Sequence, residues 1–240
     1  MRLDKWLSDA TSYTRSQLKQ LIRSGQVTVN QTIVKKPETP VQETDVICLQ
    51  GNPVEPAESC YCLLLNKPLG YVCAVTDATE KTVMELIPPE LQRKGLFPVG
   101  RLDKDSEGLL LLTNDGEFAN NIMHPSRHIS KTYRVTVRPD ISEEQLIALS
   151  SGVELDGKMT LPANVVVKTK EPNRVVLLMT IQEGRNRQIR RMCEALGLEV
   201  ARLRRTSIGP LKLGMLKPGT YRDLTAEELR AIRNAIGGDL

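Results

Sequence analysis

The chain has 240 residues, 40% of them hydrophobic and 26% charged, and a formal net charge of +4, enough for one large domain or for a medium and a small one, each with its own core. No apolar run approaches the ~20 residues that span a bilayer, and Met1-Arg2-Leu3-Asp4-Lys5 leads into polar sequence without a signal-peptide hydrophobic region, so a cytoplasmic protein with no membrane contact is expected. The five cysteines (Cys48, Cys60, Cys62, Cys73, Cys193) are odd in number and have only two histidines beside them, which supports neither a disulfide framework nor a metal site; reduced, mostly buried thiols are expected.

Leu3 and Leu7 are spaced for one helix face, and Leu18, Leu21 and Ile22 mark a second helix that Gly25 can end. Arg15, Lys19 and Arg23 recur every four residues on that second helix, a basic stripe opposite the apolar one. Val27-Thr28-Val29, Ile33 and Val46-Ile47 read as short strands. GNPVEPAES, residues 51–59, is rich in Pro, Gly and acid and has no periodicity; it reads as a linker, with a domain boundary near residue 58. Two domains are therefore expected, 1–58 and 59–240.

Beyond the linker, YCLLLNKP (61–68), YVCAV (71–75), KTYRVTV (131–137) and RVVLLMTI (174–181) read as strands. TVMELI (82–87) reads as a short helix, and RNRQIRRMCEALG (185–197) as a helix ended by Gly197. A final amphipathic piece, Thr225 to Ile236, opens on a capping-box arrangement, Thr225-Ala226-Glu227-Glu228. Mixed order without a βαβ rhythm predicts an α+β fold with a largely antiparallel sheet.

Positive charge is concentrated in two zones. Residues 1–36 set Arg2, Lys5, Arg15, Lys19, Arg23, Lys35 and Lys36 against Asp4 and Asp9, and the stretch from Arg174 to Arg222 is arginine-rich with few acids. Two basic zones in a balanced chain are the footprint of a polyanion, and arginine's planar fork suits phosphate.

GRLDKDSEGLLLLTNDG, residues 100–116, wraps Asp103, Asp105, Glu107 and Asp115 around four leucines. DKDSEG imitates the first half of a calcium-binding EF-hand loop, but Asn114 stands where the bidentate Glu belongs and leucines fill the later loop positions. A carboxylate pair acting on a sugar needs two groups roughly 5 to 9.5 Å apart. With LLLLT as a strand, Asp103 and Asp115 are too far apart for that, and Asp103 with Glu107 remains open. On the residues alone, Lys104 to Gly108 reads as a polar turn entering a buried strand.

This motif resembles the defining motif of pseudouridine synthases, in the branch that modifies single uridines of ribosomal RNA. LNKPLGYV (65–72), KTYRV (131–135), EGRNRQIRRM (183–192) and ARLRRTSIGPLKLG (201–214) follow in that family's order. RLDKWL and TRSQLKQLIRSGQVTVN resemble the small S-four type RNA-binding module that precedes the catalytic domain in this branch. The resemblance implies that Asp103 is catalytic, that Arg190 pairs with it, that Tyr133 stacks on the flipped base and that Leu203 lies on the pocket wall. It implies a reaction that breaks uracil N1 from ribose C1′ and joins C5 to C1′ without cofactor or metal. Arg15, Lys19 and Arg23 would meet phosphates in the N-terminal module, and Arg185, Arg187, Arg191, Arg204 and Arg205 would do so in the second basic zone. The partner implied is ribosomal RNA or a subunit assembly intermediate, met by a monomer. EGRNRQIRRM with NIMHP (121–125) is closer to large-subunit members, whereas GYVCAVTD (70–77) is closer to small-subunit ones. The competing class is an RNA-binding or ribosome-assembly factor that keeps the fold without turnover.

Overall fold

The computed structural model describes residues 1–11, 13–42, 44–55 and 60–237. Two compact units are present: Met1–Tyr61 together with Glu90–Gly95, and Cys62–Pro89 together with the chain from Leu96 onward. The boundary expected near residue 58 falls within residues 56–59, which lie outside the described residues.

In the first unit, helices α1 (Leu3–Ala10) and α2 (Arg15–Arg23) bury Leu3, Leu7, Leu18 and Ile22 in one cluster with Val27, Ile47 and Leu49. Thr14 and Gln17 form a reciprocal capping box that starts α2. Four short strands, β1 (Val27–Val29), β2 (Thr32–Ile33), β3 (Ile47–Leu49) and β4 (Asn52–Val54), form a sheet in the order β2-β1-β3-β4. Strand β4 corrects the linker expectation, because residues 52–54 pair with β3. The physical reason is the two-residue turn between them: Gln50 and Gly51 both have positive φ, 53° and 82°, the backbone of a tight hairpin.

The second unit is built on a nine-stranded sheet among the described residues. Its elements are β5 (Cys62–Lys67), β6 (Phe97–Val99), β7 (Glu107–Thr113), α4 (Gly116–Met123), β8 (Lys131–Arg138), α5 (Glu143–Ser151), the small hairpin β9 (Glu154–Leu155) and β10 (Lys158–Met159), β11 (Asn164–Glu171), β12 (Arg174–Ile181), α6 (Gln188–Ala195), β13 (Glu199–Ile208), β14 (Leu211–Lys212), β15 (Tyr221–Asp223) and α7 (Ala226–Ala235); between β5 and β6 in the chain comes α3 (Pro89–Gln92), which from Glu90 on belongs to the first unit. The strand order is β11-β12-β8-β13-β7-β5-β15, with β14 on β13 and β6 on β7. The β7–β13 pair is parallel and the others are antiparallel. This is the expected α+β class with a largely antiparallel mixed sheet.

Strand β7, EGLLLLT, is buried along its whole length, as a central strand covered on both faces must be. Leu109 and Leu111 belong to a core with Phe118 and Ile122 of α4 and Ile232 of α7. At the other end of the sheet, Val135, Val137, Leu177 and Met179 pack with Leu149 of α5 and with Met192 and Cys193 of α6.

Several expectations are corrected. YVCAV is not a strand: Val72 makes only an isolated bridge to Thr82, and the Cys73 Sγ instead donates to Leu102 O at 3.3 Å and accepts from Leu102 N at 3.2 Å. TVMELI forms a tighter 3-10 turn, Val83–Leu86, capped by Thr82 and Glu85. The helix expected from Arg185 begins only at Gln188, because Arg187 takes the left-handed conformation at φ 47°. Of the five free cysteines, Cys62 and Cys193 are fully buried, Cys48 and Cys73 are partly buried, and Cys60 is exposed. Burial pushes the Cys193 thiol up to about 12. Among the described residues, no helix is long and apolar enough to cross a membrane.

Candidate active site

Asp103 sits on the connection between β6 and β7, and buried groups hold that connection in shape. Lys67, at the end of β5, is completely buried, and its Nζ donates to Ser106 O at 2.7 Å, Asp103 O at 3.0 Å and Pro68 O at 3.1 Å. An ammonium with three donors thus ties three carbonyls together beneath the loop, of which Asp103 O also accepts from the Ser106 N–H at 3.0 Å. Burial lowers the Lys67 pKa, and the surrounding Asp103, Asp105 and Glu107 charges oppose that shift. Just after the loop, Gly108 has φ 108°, and a Cβ there would lie 2.2 Å from Arg205 O. Only glycine lets β7 approach β13 this closely.

The Asp103 side chain is 26% exposed and lines a cleft of about 620 Å³, within the range of ligand pockets. Tyr133, Leu203, Arg185, Arg187 and Arg205 line the same cleft. Tyr133 of β8 and Leu203 of β13 are 8% and 7% exposed. Strand alternation turns both toward the inner side, and register places Tyr133 beside Arg205 and Val135 beside Leu203.

Arg190 does not pair with Asp103. Its Nη2 donates to Asp105 O at 2.7 Å and its Nη1 to Val200 O at 3.1 Å. Its Nε lies 3.3 Å from Asp105 Oδ2, an ion pair without hydrogen-bond alignment. The guanidinium near the Asp103 carboxylate belongs to Arg187, 3.6 Å from Oδ2. Arg187 also makes a two-pronged pair with Asp105, at 3.3 and 3.1 Å. The reason is local: the left-handed turn at Arg187 ends the loop before α6, which leaves Arg187 at the cleft and carries Arg190 into the first helical turn, behind it. Burial alone would raise the Asp105 pKa, but the Arg187 hydrogen bond and the Arg190 and Arg187 charges bring it below the ordinary carboxylate value.

The other acids of the motif also have partners. Glu107 lies within β7 and accepts from Arg202 Nε at 2.7 Å. Asp115 is the N-cap of α4, accepting from the backbone of Glu117 and Phe118, each at 3.0 Å.

The expected phosphate contacts divide. Arg15, Lys19 and Arg23 are exposed on one side of α2, as expected. Arg185 is committed to Glu183 at 3.2 Å and to Lys158 O at 3.0 Å, so it anchors the β9–β10 hairpin. Arg191 pairs with Asp156 at 2.6 Å. Arg205 is only 3% exposed, donates its Nε to Leu109 O at 2.7 Å, and has a buried Nη2 without a partner; it is part of the cleft wall rather than a surface contact. Arg204 points to the opposite side of the sheet because side chains alternate along β13.

Sequence reasoning missed Lys67 and Asp105 as supports of the loop. The signal for Lys67 was present: a lysine closing the apolar run Leu63-Leu64-Leu65 cannot remain in a fully buried strand without carbonyl partners. Lys131, also on the cleft, was missed too; burial and then the Arg205 charge lower its pKa.

The family described as RNA pseudouridylate synthase matches residues 61–195, and the S4 domain family matches residues 1–47. A protein of Bacillus subtilis (strain 168) described as an uncharacterized RNA pseudouridine synthase is 40% identical over 235 residues, 97% of this chain and 98% of that protein. The ribosomal large subunit pseudouridine synthase B of the same organism is 39% identical over 234 residues, 97% of this chain and 95% of its own. The ribosomal small subunit pseudouridine synthase A of Vibrio vulnificus (strain CMCP6) is 38% identical over 235 residues, 97% of this chain and 99% of its own. A solved pseudouridylate synthase superimposes with a TM-score of 0.67 at 36% identity, covering 97% of this chain and 99% of that one. A nearly full-length match to synthases, around a cleft that presents one aspartate beside a tyrosine and a leucine, means that the chain belongs to the RNA pseudouridylate synthase family, an isomerase with an S4 domain at its N-terminal end.

Proposed function

We propose that the protein converts one uridine of ribosomal RNA to pseudouridine in the cytoplasm, working as a monomer with Asp103 as the catalytic carboxylate and no cofactor. The observation that carries this reading is the placement of Asp103, partly exposed, in a cleft walled by the nearly buried Tyr133 and Leu203. A stacked uridine cannot reach such a cleft, so it must be extruded, at a cost of about a few kcal/mol. Once it is inside, the Tyr133 ring and the Leu203 side chain offer flat apolar surface to the base, leaving the ribose toward Asp103.

The atom balance is internal. The N1–C1′ bond breaks, the base turns, C5 bonds to C1′, the C5 proton leaves and N1 gains one. A carboxylate serves this by attacking or stabilising the electron-poor C1′, or by assisting proton removal there. Arg187 orients that carboxylate, and Arg190 holds the loop that carries it. Exposed Arg15, Lys19 and Arg23 supply phosphate contacts from the S4 domain.

Release of label from C5-tritiated uridine in ribosomal RNA transcripts tests the reading. Wild type should release tritium and Asp103→Asn should not. Release by neither protein identifies an RNA-binding or assembly factor instead.

The proposed target lies in large-subunit RNA, supported by Asn186-Arg187 before Gln188 and by Asn121 to Pro125. The small-subunit alternative is supported by residues 70–77 and by the 38% identity to the Vibrio vulnificus enzyme. Mapping pseudouridines across ribosomal RNA from cells lacking the protein decides between them.

A further inference from the structure

The sheet has a second usable face at its β12–β8–β13 end. Along β8 the side chains of Tyr133, Val135 and Val137 are buried, while Thr132, Arg134, Thr136 and Arg138 point the other way. On β13, Leu203 and Arg205 turn inward, so Arg202 and Arg204 share the outward side. Because Tyr133, Leu203 and Arg205 line the cleft, the outward residues lie across the sheet from the reacting uridine.

Register sets Arg134 directly beside Arg204, and Thr136 beside Arg202. Like charges directly opposed on neighbouring strands destabilise a sheet. The nearby acids are engaged by other arginines: Glu107, in register with Arg204 on β7, accepts from Arg202 at 2.7 Å, and Glu171 pairs with Arg174 at 2.8 Å. Glu199 stands across from Arg138 in register. Among the described residues, Arg134, Arg138 and Arg204 make no ion pair within 4.0 Å.

The remainder of this face consists of hydroxyls and aliphatic groups. Thr132 and Thr180 share a hydrogen bond at 3.0 Å, and Leu178 lies beside Arg134. No outward position of β8 or β12 carries an aromatic ring, so the face is suited to gripping phosphates rather than stacking bases. Arg134 and Arg204 stand about 5 Å apart between Cα atoms. Arg134 and Arg138, four strand residues apart, are separated by roughly 14 Å. Such a cluster of unpaired forks asks for closely spaced phosphates.

We infer that this outward face is a second RNA-binding surface, which holds backbone phosphates of the substrate RNA at a site remote from the target uridine. The inference rests on the reading of the protein as a ribosomal RNA-modifying enzyme. It makes a long folded RNA a tighter ligand than the hairpin that carries the uridine.

The test compares wild type with Arg134→Glu/Arg138→Glu in filter binding against salt, using a long ribosomal RNA fragment and a short uridine-bearing hairpin. For the long RNA, the slope of log affinity against log salt should fall by about 2, close to 0.9 per lost phosphate contact, and affinity should drop at least ~10-fold. Hairpin binding and tritium release from it should be retained. An unchanged slope for the long RNA overturns the inference, as does equal weakening of both RNAs. Arg134→Gln/Arg138→Gln, with circular dichroism and Tm matching wild type, guards against misfolding and should lose the same slope. Because binding is read without turnover, a wild type that binds with this slope yet makes no pseudouridine refutes the catalytic reading and leaves the surface standing.

Discussion

The Arg187 guanidinium is shared between two carboxylates of one loop, standing 3.6 Å from Asp103 Oδ2 and 3.1 Å from Asp105 Oδ2. The fork is seated on Asp105, and its edge faces Asp103. Arg187→Ala should lower single-turnover kcat about 100-fold, close to 2.7 kcal/mol, with little change in KM. Arg187→Lys keeps the charge but not the fork, so it should recover only part of the loss. Quenched-flow tritium release on both variants measures the difference.

Asp105 holds Arg187 and Arg190 in place, and its pH dependence has a definite sign. Its folded-state pKa is depressed, so its contribution to stability is present above the unfolded value of about 3.9 and is lost as pH falls through the folded one. Wild type should therefore exceed Asp105→Asn in stability at about pH 7, with the gap closing toward about pH 3. Urea unfolding of both proteins across that range measures it, and a gap that is constant with pH contradicts the ion-pair account.

Lys67→Met keeps length and volume but removes three donors, taking them from the Ser106, Asp103 and Pro68 carbonyls, of which Asp103 O keeps the Ser106 N–H at 3.0 Å. The expected cost is about 3 kcal/mol, or a Tm lower by roughly 6–12 °C in a chain of this size. Activity measured well below the lowered Tm should also fall, because the loop that presents Asp103 loses its buried support. Calorimetry and tritium release read the two effects.

Gly108→Ala should be more damaging than any surface change, since its Cβ would lie 2.2 Å from Arg205 O at a backbone φ of 108°. A loss of about 4 kcal/mol is expected. Soluble yield and thermal unfolding check it; a near-neutral result means that β7 and β13 can separate without loss.

Elements whose pattern is local were legible in the amino-acid order. The uninterrupted leucines of β7, the alternation of KTYRVTV and the Thr225–Glu228 capping box each became what its spacing predicts. Elements whose pattern is masked by polar residues were not. Helix α4 begins Gly116-Glu117 and contains two asparagines, and it depends on the Asp115 cap and on Phe118, Ala119 and Ile122 reaching the core. Strand β13 carries Arg202, Arg204 and Arg205, which hide a ten-residue strand behind charge. YVCAV has strand-like composition, but Cys73 engages Leu102 instead of a ladder.

The same division holds for the site. The sequence by itself determined the α+β class and, through the family resemblance of its contiguous motifs, singled out Asp103, Tyr133 and Leu203, which the structure brings to one cleft; the catalytic role of Asp103 is the proposal. Only the tertiary structure decided that Arg187 rather than Arg190 meets Asp103, that Arg205 is buried while Arg204 faces away, and that Lys67 underpins the loop. Those outcomes depend on a single left-handed residue before α6, on the register of β13 against β8, and on which carbonyls are left to satisfy once the chain has packed.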